Sequence, residues 1–392
     1  MIDFKIIHKD KNSRARAGEL HTSHGIVETP AFVPVGTQAT VKSLTSEDLQ
    51  TIGVQVLFGN TYHLHLRPGE DTVAHFGGLG KFMGWNGVTM TDSGGFQVFS
   101  LARYRKFGKQ ELPNDDGQAD LVKITEDGVI FTSHLDGSQH SFTPEQSIAI
   151  QKKIGADIIL ALDQCTTYPI THESAKADME RTHRWAIRSI QAMKHKGTFN
   201  QALYGIIQGS IFADLRRESA AFIASHPFDG FAIGGVSVGE TKQEMHAAVE
   251  RSIPFLPENK VRHALGIGDV DDIFEIIERG IDTFDCVTPS RLGRVGHVFA
   301  MPPEGNLQNR FRYDITKVQF AQDSMPLSVC CDCYVCKNFT RGYIHHLFRA
   351  KELLAYRLAT YHNIYFIIQL TRKIRTSLLE NRFAALKKQW LG

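Results

Sequence analysis

Eight short apolar segments recur along this chain of 392 residues, and each ends in a glycine, an aspartate or another small polar residue. They lie at 31–36, 54–61, 88–95, 158–165, 203–210, 231–237, 263–269 and 283–289. Continuous apolar runs of this length are typical of strands that are buried on both faces, as in a parallel sheet. This constraint leaves few folds open, because every such strand must be covered on both sides.

Helix-start signals separate several of these segments. Four pairs have the spacing of a capping box: Thr45 with Asp48, Thr143 with Gln146, Thr241 with Glu244, and Asp269 with Asp272. Strands that alternate with helices in this number predict an α/β fold of the (β/α)8 TIM-barrel type. An open doubly wound sheet is the alternative, and eight units favour closure.

Two segments interrupt the alternation. Residues 102–142 begin with a polar loop at 102–120 and continue as a hairpin that turns at Asp136-Gly137. The second interrupting segment, 310–363, contains a cluster of cysteines. We therefore expect three parts: a barrel over 1–309 with the insertion at 102–142, a zinc-binding subdomain over 310–363, and a helical, basic segment over 364–392.

The charge balance excludes strong nucleic-acid attraction by the whole molecule. The 44 lysines and arginines offset 42 acidic residues to leave a net charge of +2, so any RNA affinity must come from a local basic patch. The charged amino terminus has no apolar signal segment, and no apolar run reaches the length of a membrane span. We expect a cytoplasmic protein without a membrane partner.

Four of the six cysteines fall within seven consecutive positions. Clustering of this kind indicates metal binding, whereas a disulfide framework would scatter the cysteines. Cys331-x-Cys333-x2-Cys336 supplies three thiolates, and Cys330 is an additional thiol that could exchange with one of them.

Polar residues follow the predicted barrel strands at their carboxyl ends, where barrel enzymes have their active sites. These are Asp92, Asp163, Gln208, Gly234-Gly235 and Asp285. Any one of them can instead cap the next helix, but together they suit the edge of a purine. Carboxylates accept the N–H groups of a guanine-like ring, and an amide and a glycine N–H serve its carbonyl.

The chain resembles the tRNA-guanine transglycosylase family, of bacterial type. The resemblance rests on TDSGGFQVFSL (91–101), QGS (208–210), IGGVSVGE (233–240), FDCVTPSR (284–291) and the cysteine spacing, and it runs from about residue 5 to 380. It implies that Asp285 is the nucleophile and that Asp92 contacts the base and acts as general acid and base. The other implied contacts to the base are Ser93, Phe96, Asp163, Gln208, Gly235, Val236 and Leu265, and those to RNA are Arg291 and Arg294.

The resemblance also implies a cofactor and partners. One structural zinc per chain is held by the three cysteines and His362, with His345 and His346 as rival ligands. The implied partners are the tRNA anticodon loop, a deazaguanine base and a second copy of the chain. The family's dimer contact is the region of Phe339, Tyr343 and His346, which share helical spacing, and core packing is the alternative for these three residues. The implied activity exchanges guanine at the wobble position of GUN anticodons for a queuosine-pathway deazaguanine, through a covalent RNA–Asp285 intermediate.

Two features depart from the family pattern. Asp269 and Val270 replace a frequent Lys-Pro whose lysine contacts the RNA backbone, and the loop at 102–120 is longer than usual. Cys165 and Val238 are of the bacterial type, in which the inserted base is an aminomethyl-deazaguanine, although salvage of queuine stays open. A catalytically silent tRNA-binding subunit is the alternative from another class; it would lack the carboxylates that are present here. A metal-dependent barrel hydrolase would need an early His-x-His at a strand end, which the sequence does not supply.

Overall fold

The structure, a computed structural model, describes residues 2–99, 122–194 and 199–392. Up to residue 193 its elements are β1 (Asp3–Lys9), β2 (Arg16–Thr22), β3 (Gly25–Thr29), β4 (Ala31–Gly36), α1 (Ser46–Ile52), β5 (Val56–Gly59), α2 (Thr61–Leu66), α3 (Glu70–His75), α4 (Leu79–Met83), β6 (Val88–Thr91), α5 (95–99), β7 (Val122–Ile124), β8 (Val129–Thr132), β9 (Gln139–Phe142), α6 (Pro144–Ile154), β10 (Ile158–Leu160) and α7 (His172–Met193). They continue with β11 (Ala202–Ile207), α8 (Ala213–Ala224), β12 (Gly230–Ile233), α9 (Lys242–Ser252), β13 (Val261–Ala264), α10 (Val270–Glu278), β14 (Thr283–Cys286), α11 (Thr288–Arg294), β15 (His297–Phe299), β16 (Arg312–Asp314), α12 (Tyr334–Asn338), α13 (Arg341–Arg349), α14 (Leu353–Leu379) and α15 (Phe383–Leu391), with short 3-10 turns at Ile253–Phe255 and Val318–Phe320.

A closed barrel of parallel strands is the centre of the fold, in the order β4-β5-β6-β10-β11-β12-β13-β14. Each predicted apolar segment overlaps one of these strands, and the strand residues are almost all buried. The prediction of an α/β (β/α)8 barrel is confirmed, and the open doubly wound sheet is excluded.

Local sequence signals set three of the helix starts as predicted. The side chains of Thr45, Thr143 and Thr241 each accept from a backbone N–H three residues later, in reciprocal capping boxes. The fourth signal was only half right. Asp269 does precede α10, but its side chain makes no capping bond and lies 3.9 Å from a guanidinium nitrogen of Arg312.

One compact unit comprises, among the described residues, 2, 37–39 and 58–260. Its inserted sheet β7-β8-β9 is antiparallel, and the β8–β9 connection contains Asp136-Gly137, as predicted. Phe131 and Phe142 of this sheet share an apolar cluster with Tyr62 and Trp185. The predicted polar loop at 102–120 lies outside the described residues.

The second compact unit comprises residues 3–36, 40–57 and 261–392. The long helix α14 packs closely against α11, since a Cβ at Gly293 would stand 2.8 Å from the Cα of Thr360. Asn363 of α14 also accepts from Phe299 N–H at 3.0 Å and donates to the carbonyls of Pro289 and His297. The proposed division of the chain at 309/310 and 363/364 stays a prediction; α14 is continuous across the second position.

None of the helices in the part of the chain that the structure describes is long and apolar enough to span a membrane.

A buried ion pair joins the amino ends of several strands in the second unit. Arg16 donates through Nε and Nη2 to the two carboxylate oxygens of Asp282, at 2.8 and 2.7 Å, and both side chains are almost fully buried. The backbone N–H of Arg262 donates to the same carboxylate at 2.7 Å, and the carbonyl of Asp282 accepts from Ala31 N–H. The pair therefore connects β2 to the starts of β4, β13 and β14.

We expect Asp282→Asn to lower the free energy of unfolding by about 3–5 kcal/mol, because it removes the carboxylate that pairs with the buried Arg16 guanidinium. Chemical denaturation measures this loss. The control is Glu380→Gln, which removes the solvent-exposed partner of Arg382 and should cost less than about 1 kcal/mol. Equal losses in the two variants would contradict a special role for the buried pair.

Candidate active site and metal centre

Asp92 follows β6 directly and is held by donors from the segment after β5 and from its own loop. Its Oδ2 accepts from Asn60 Nδ2 at 2.6 Å, and its Oδ1 accepts from the backbone N–H groups of Thr61 and Gly94 at 2.9 and 3.1 Å. Asn60 is itself fixed as the N-cap of α2. The carboxylate thus has a defined orientation while the side chain stays only half-buried.

Three of the predicted base-contacting residues form one hydrogen-bonded chain in the first unit. Asp163 accepts from Ser93 Oγ at 3.3 Å and from Gln208 Nε2 at 2.7 Å. Burial raises the pKa of Asp163 to about 6, although both hydrogen bonds act to lower it. A raised pKa of this kind is common for buried carboxyl groups in binding and active sites.

Gln208 ends this chain with an unused acceptor. Its side chain is fully buried, yet Oε1 has no hydrogen-bond partner within the described structure. Gly235 lies directly beside this oxygen with φ of +60°, and a Cβ there would collide with it. The backbone at Gly235 therefore needs glycine for both its conformation and its close approach to the amide.

Arg216 of α8 organises the backbone around Gln208 and Gly235, and our sequence analysis missed it. Its fully buried guanidinium donates to the carbonyls of four residues: Ser210 (2.6 Å), Gly234 (2.8 Å), Gly235 (2.9 Å) and Ile207 (3.2 Å). A sequence signal did exist. Arg216 shares a helical face with Ser219, Ala220 and Ile223, all buried, where an arginine is unusual.

The remaining predicted base contacts of this unit differ in exposure. Phe96 of α5 is 48% exposed, which is unusual for phenylalanine and leaves its ring available to stack on a ligand. Val236, which follows Gly235, is buried.

In the second unit, Asp285 is held through one oxygen. Its Oδ1 is 3.1 Å from Nε2 of His263 and accepts from the backbone N–H of Gly266 at 3.2 Å. His263 is fully buried, and its Nδ1 is 2.9 Å from Oγ1 of Thr283. Leu265, the predicted ring contact, lies between the two residues that contact Asp285 and is half-buried.

His263 is the second functional residue that our sequence analysis missed. Its signal was a histidine at the position where a barrel strand was predicted to begin, on the same face as Leu265 because side chains two apart share a face. Nothing in the sequence connects it to Asp285. The contact requires β13 to lie beside β14 with His263 opposite Thr283, as the strand register places it.

The predicted RNA-contacting residues lie on α11, directly after Asp285. Arg291 is exposed, and Arg294 donates to the carbonyl of Ser290 at 2.9 Å. Two basic residues of the carboxyl-terminal segment 364–392 contact other parts of their own unit. Arg375 donates to the carbonyl of Gly18, and Lys387 pairs with Glu278, so these cations stabilise the second unit itself.

Cys331, Cys333, Cys336 and His362 lie together and can hold a metal ion, with ligand atoms within 4.8 Å of one another. The three sulfurs are 3.8, 3.5 and 3.4 Å from Nδ1 of His362. Tetrahedral ligation with metal–sulfur and metal–nitrogen bonds of ordinary length would place them at about 3.6 Å, so the set fits a four-coordinate ion. Nε2 of His362 donates to the carbonyl of Phe299 at 2.7 Å, which turns the Nδ1 lone pair towards the cysteines.

The rival ligands lie outside this cluster. His345 is 2.9 Å from the carbonyl of Ile315 through Nδ1, His346 is exposed, and Cys330 is exposed beside the cluster.

Comparison with known proteins agrees with these features. The family model described as queuine tRNA-ribosyltransferase matches residues 10–392. A queuine tRNA-ribosyltransferase of Roseiflexus sp. (strain RS-1) is 47% identical over 403 residues, covering 99% of this chain and 99% of the relative. Those of Herpetosiphon aurantiacus and Caldanaerobacter subterraneus subsp. tengcongensis are 47% and 46% identical, cover 100% of this chain, and are themselves covered to 93% and 97%.

The raised pKa of Asp163 makes a prediction about stability. The folded protein holds the proton up to about pH 6, whereas the unfolded chain loses it near the ordinary value of 3.8. The stability that this group contributes is therefore complete at low pH and is lost as pH rises through 6. Asp163→Asn cannot titrate, so its stability relative to wild type should rise between pH 4 and 7, by on the order of 2–3 kcal/mol. Denaturation midpoints measured across this range test the idea, and a pH-independent difference would contradict it.

Proposed function

The chain belongs to the queuine tRNA-ribosyltransferase family, whose members are tRNA-guanine transglycosylases, and on this premise we propose that it exchanges guanine at the wobble position of GUN anticodons for a queuosine-pathway deazaguanine. The observation that carries the proposal is the buried carboxyl–amide chain of Asp163 and Gln208 in the first unit, which suits a guanine edge. In the second unit, Asp285 is a carboxylate held by two donors, as a nucleophile requires. A silent tRNA-binding subunit would not need Asp285 held by two donors.

The reaction that we propose has two displacements. Asp285 attacks C1′ of the ribose as the C1′–N9 bond to guanine breaks, and the electron pair of that bond goes to N9, which takes a proton from Asp92. N9 of the incoming base then returns a proton to Asp92 and attacks C1′, and the bond between C1′ and Asp285 breaks. Two inversions retain the configuration, and the oxocarbenium character of both transition states favours nearby carboxylates.

Recognition of the base follows from the hydrogen-bonding groups of the first unit. Asp163 is assigned the N–H donors of the guanine edge, for which its ionised form is an acceptor. Gln208 already donates through Nε2 to Asp163, so the base carbonyl is assigned to the N–H of Gly235. Further base contacts are assigned to Asp92, Ser93, Phe96, Val236 and Leu265.

We assign three further roles outside base recognition. Arg291 and Arg294 contact RNA next to the exchanged nucleotide, and the cysteine–histidine cluster holds one structural zinc, because four protein ligands leave no position for water. A homodimer is supported by an exposed aromatic group next to the metal cluster. Tyr334 and Tyr343 are 52% and 40% exposed, and each has its ring within 6 Å of that of Phe339.

Exchange is tested with tRNA that carries labelled guanine at the wobble position, to which the aminomethyl precursor and queuine are added separately. We expect label release and a denaturant-resistant RNA adduct with wild type, and a loss of at least about 10³-fold in Asp285→Asn, as for removal of a nucleophile. Asp3→Asn, the same substitution at an exposed residue, should keep full activity. Tight tRNA binding by wild type without release by either base would favour the silent subunit.

The metal assignment predicts about one zinc per chain, by atomic absorption, and its loss in Cys336→Ala but not in Cys330→Ala. Because the zinc cluster organises the surface that carries Tyr334, Cys336→Ala should also melt at lower temperature and shift from dimer to monomer in light scattering. Zinc-free wild-type protein, or a monomer at all concentrations, would contradict the respective assignment.

A further inference from the structure

The carboxylate of Asp285 is held asymmetrically. Both of its hydrogen bonds, from Nε2 of His263 and from the N–H of Gly266, go to Oδ1. Within the described part of the chain, no donor contacts Oδ2, and the side chain is 12% exposed. The position of Oδ1 is therefore fixed by hydrogen bonds, whereas Oδ2 is available to react.

His263 owes its orientation to Thr283. The two residues lie opposite each other in β13 and β14, with Nδ1 2.9 Å from Oγ1. A hydroxyl that donates to Nδ1 leaves the proton of a neutral imidazole on Nε2, where it can donate to a carboxylate. Thr283 and Asp285 project from the same face of β14, so one strand supplies both the nucleophile and the group that sets the histidine.

We propose that His263, oriented by Thr283, is a positioning residue for Asp285: it fixes Oδ1 so that Oδ2 is the attacking oxygen, and it stabilises the carboxylate as it is released. The inference rests on the proposed function, because it takes Asp285 as the nucleophile. His263 itself touches no reacting atom.

The effect on the two chemical steps differs. In the first, Oδ2 forms the bond to C1′ and the carboxylate loses its charge, so donors on Oδ1 help by orientation alone. In the second, the C1′–Oδ2 bond breaks and its electron pair returns to the carboxylate. Donors aimed at a group where charge develops lower that barrier. Loss of His263 should therefore slow breakdown of the RNA adduct more than its formation.

The test compares His263→Phe, which keeps a ring but removes the hydrogen bonds to Asp285 and Thr283, with His263→Gln, whose amide can still donate to Oδ1. RNA adduct is formed without added base, and its decay is followed after the aminomethyl-deazaguanine is added. Decay should slow on the order of 10- to 100-fold in His263→Phe, the effect of one hydrogen bond to a charged group, and His263→Gln should recover most of it. The KM for tRNA should stay near wild type.

A second pair of variants keeps the inference testable where His263→Phe does not fold. Thr283→Val removes only the partner of Nδ1 and should slow decay in the same direction, and Thr283→Ser should restore it. His345→Gln, at a buried histidine whose Nδ1 lies 2.9 Å from the carbonyl of Ile315, should leave decay unchanged.

Three outcomes would overturn the inference: decay in His263→Phe within twofold of wild type, no recovery in His263→Gln, or, where His263→Phe does not fold, unchanged decay in Thr283→Val. Failure of the proposed function gives a different result, because wild type would then form no more RNA adduct than Asp285→Asn does.

Discussion

Polar groups that end a buried strand must find partners inside the protein, and the candidate site depends on how they do so. An unpaired buried donor or acceptor costs about 1–3 kcal/mol, so the strand ends are ordered wherever partners are available. Arg216 provides four donors for strand-end carbonyls, and Ser93 and Gln208 provide two for Asp163. The exception is Oε1 of Gln208, a buried acceptor without a donor. A ligand that donates an N–H group to this oxygen would remove the cost of leaving it unpaired.

The two buried carboxyl groups have different surroundings, which suits different roles. Asp163 lies where burial outweighs its hydrogen bonds, so its pKa rises to about 6 and a ligand that donates to it stabilises its ionised form. Asp285 has a backbone N–H and a histidine on one oxygen, and its other oxygen is left for chemistry. The first arrangement favours recognition of a base, and the second favours attack and release.

His362 connects the cysteine–histidine cluster to the rest of the second unit. One nitrogen of the imidazole faces the cysteines, and the other donates to Phe299 of β15. The next residue along α14, Asn363, donates to the carbonyl of Pro289 in the first turn of α11 and to that of His297 after its end, and Gly293 lets α11 and α14 approach closely. A metal bound there would hold α14 against α11, the helix that carries Arg291 and Arg294.

The sequence alone was sufficient for features whose cause is local. Eight apolar runs predicted the barrel strands, three threonines with partners three residues later predicted their helix starts, and cysteine spacing predicted a cluster of side chains that can hold a metal ion. The missed features are contacts between residues that only the fold makes neighbours. Arg216 reaches carbonyls of two different strand ends, and His263 meets Asp285 because β13 lies beside β14 in one register. Asp269 shows the same limit, since its spacing predicted a cap, whereas its carboxylate makes no capping bond and lies 3.9 Å from a guanidinium nitrogen of Arg312, 43 residues along the chain. Periodicity and spacing are properties of a segment, whereas a hydrogen bond between strands depends on which strands pair and in what register, and only the tertiary structure decides that.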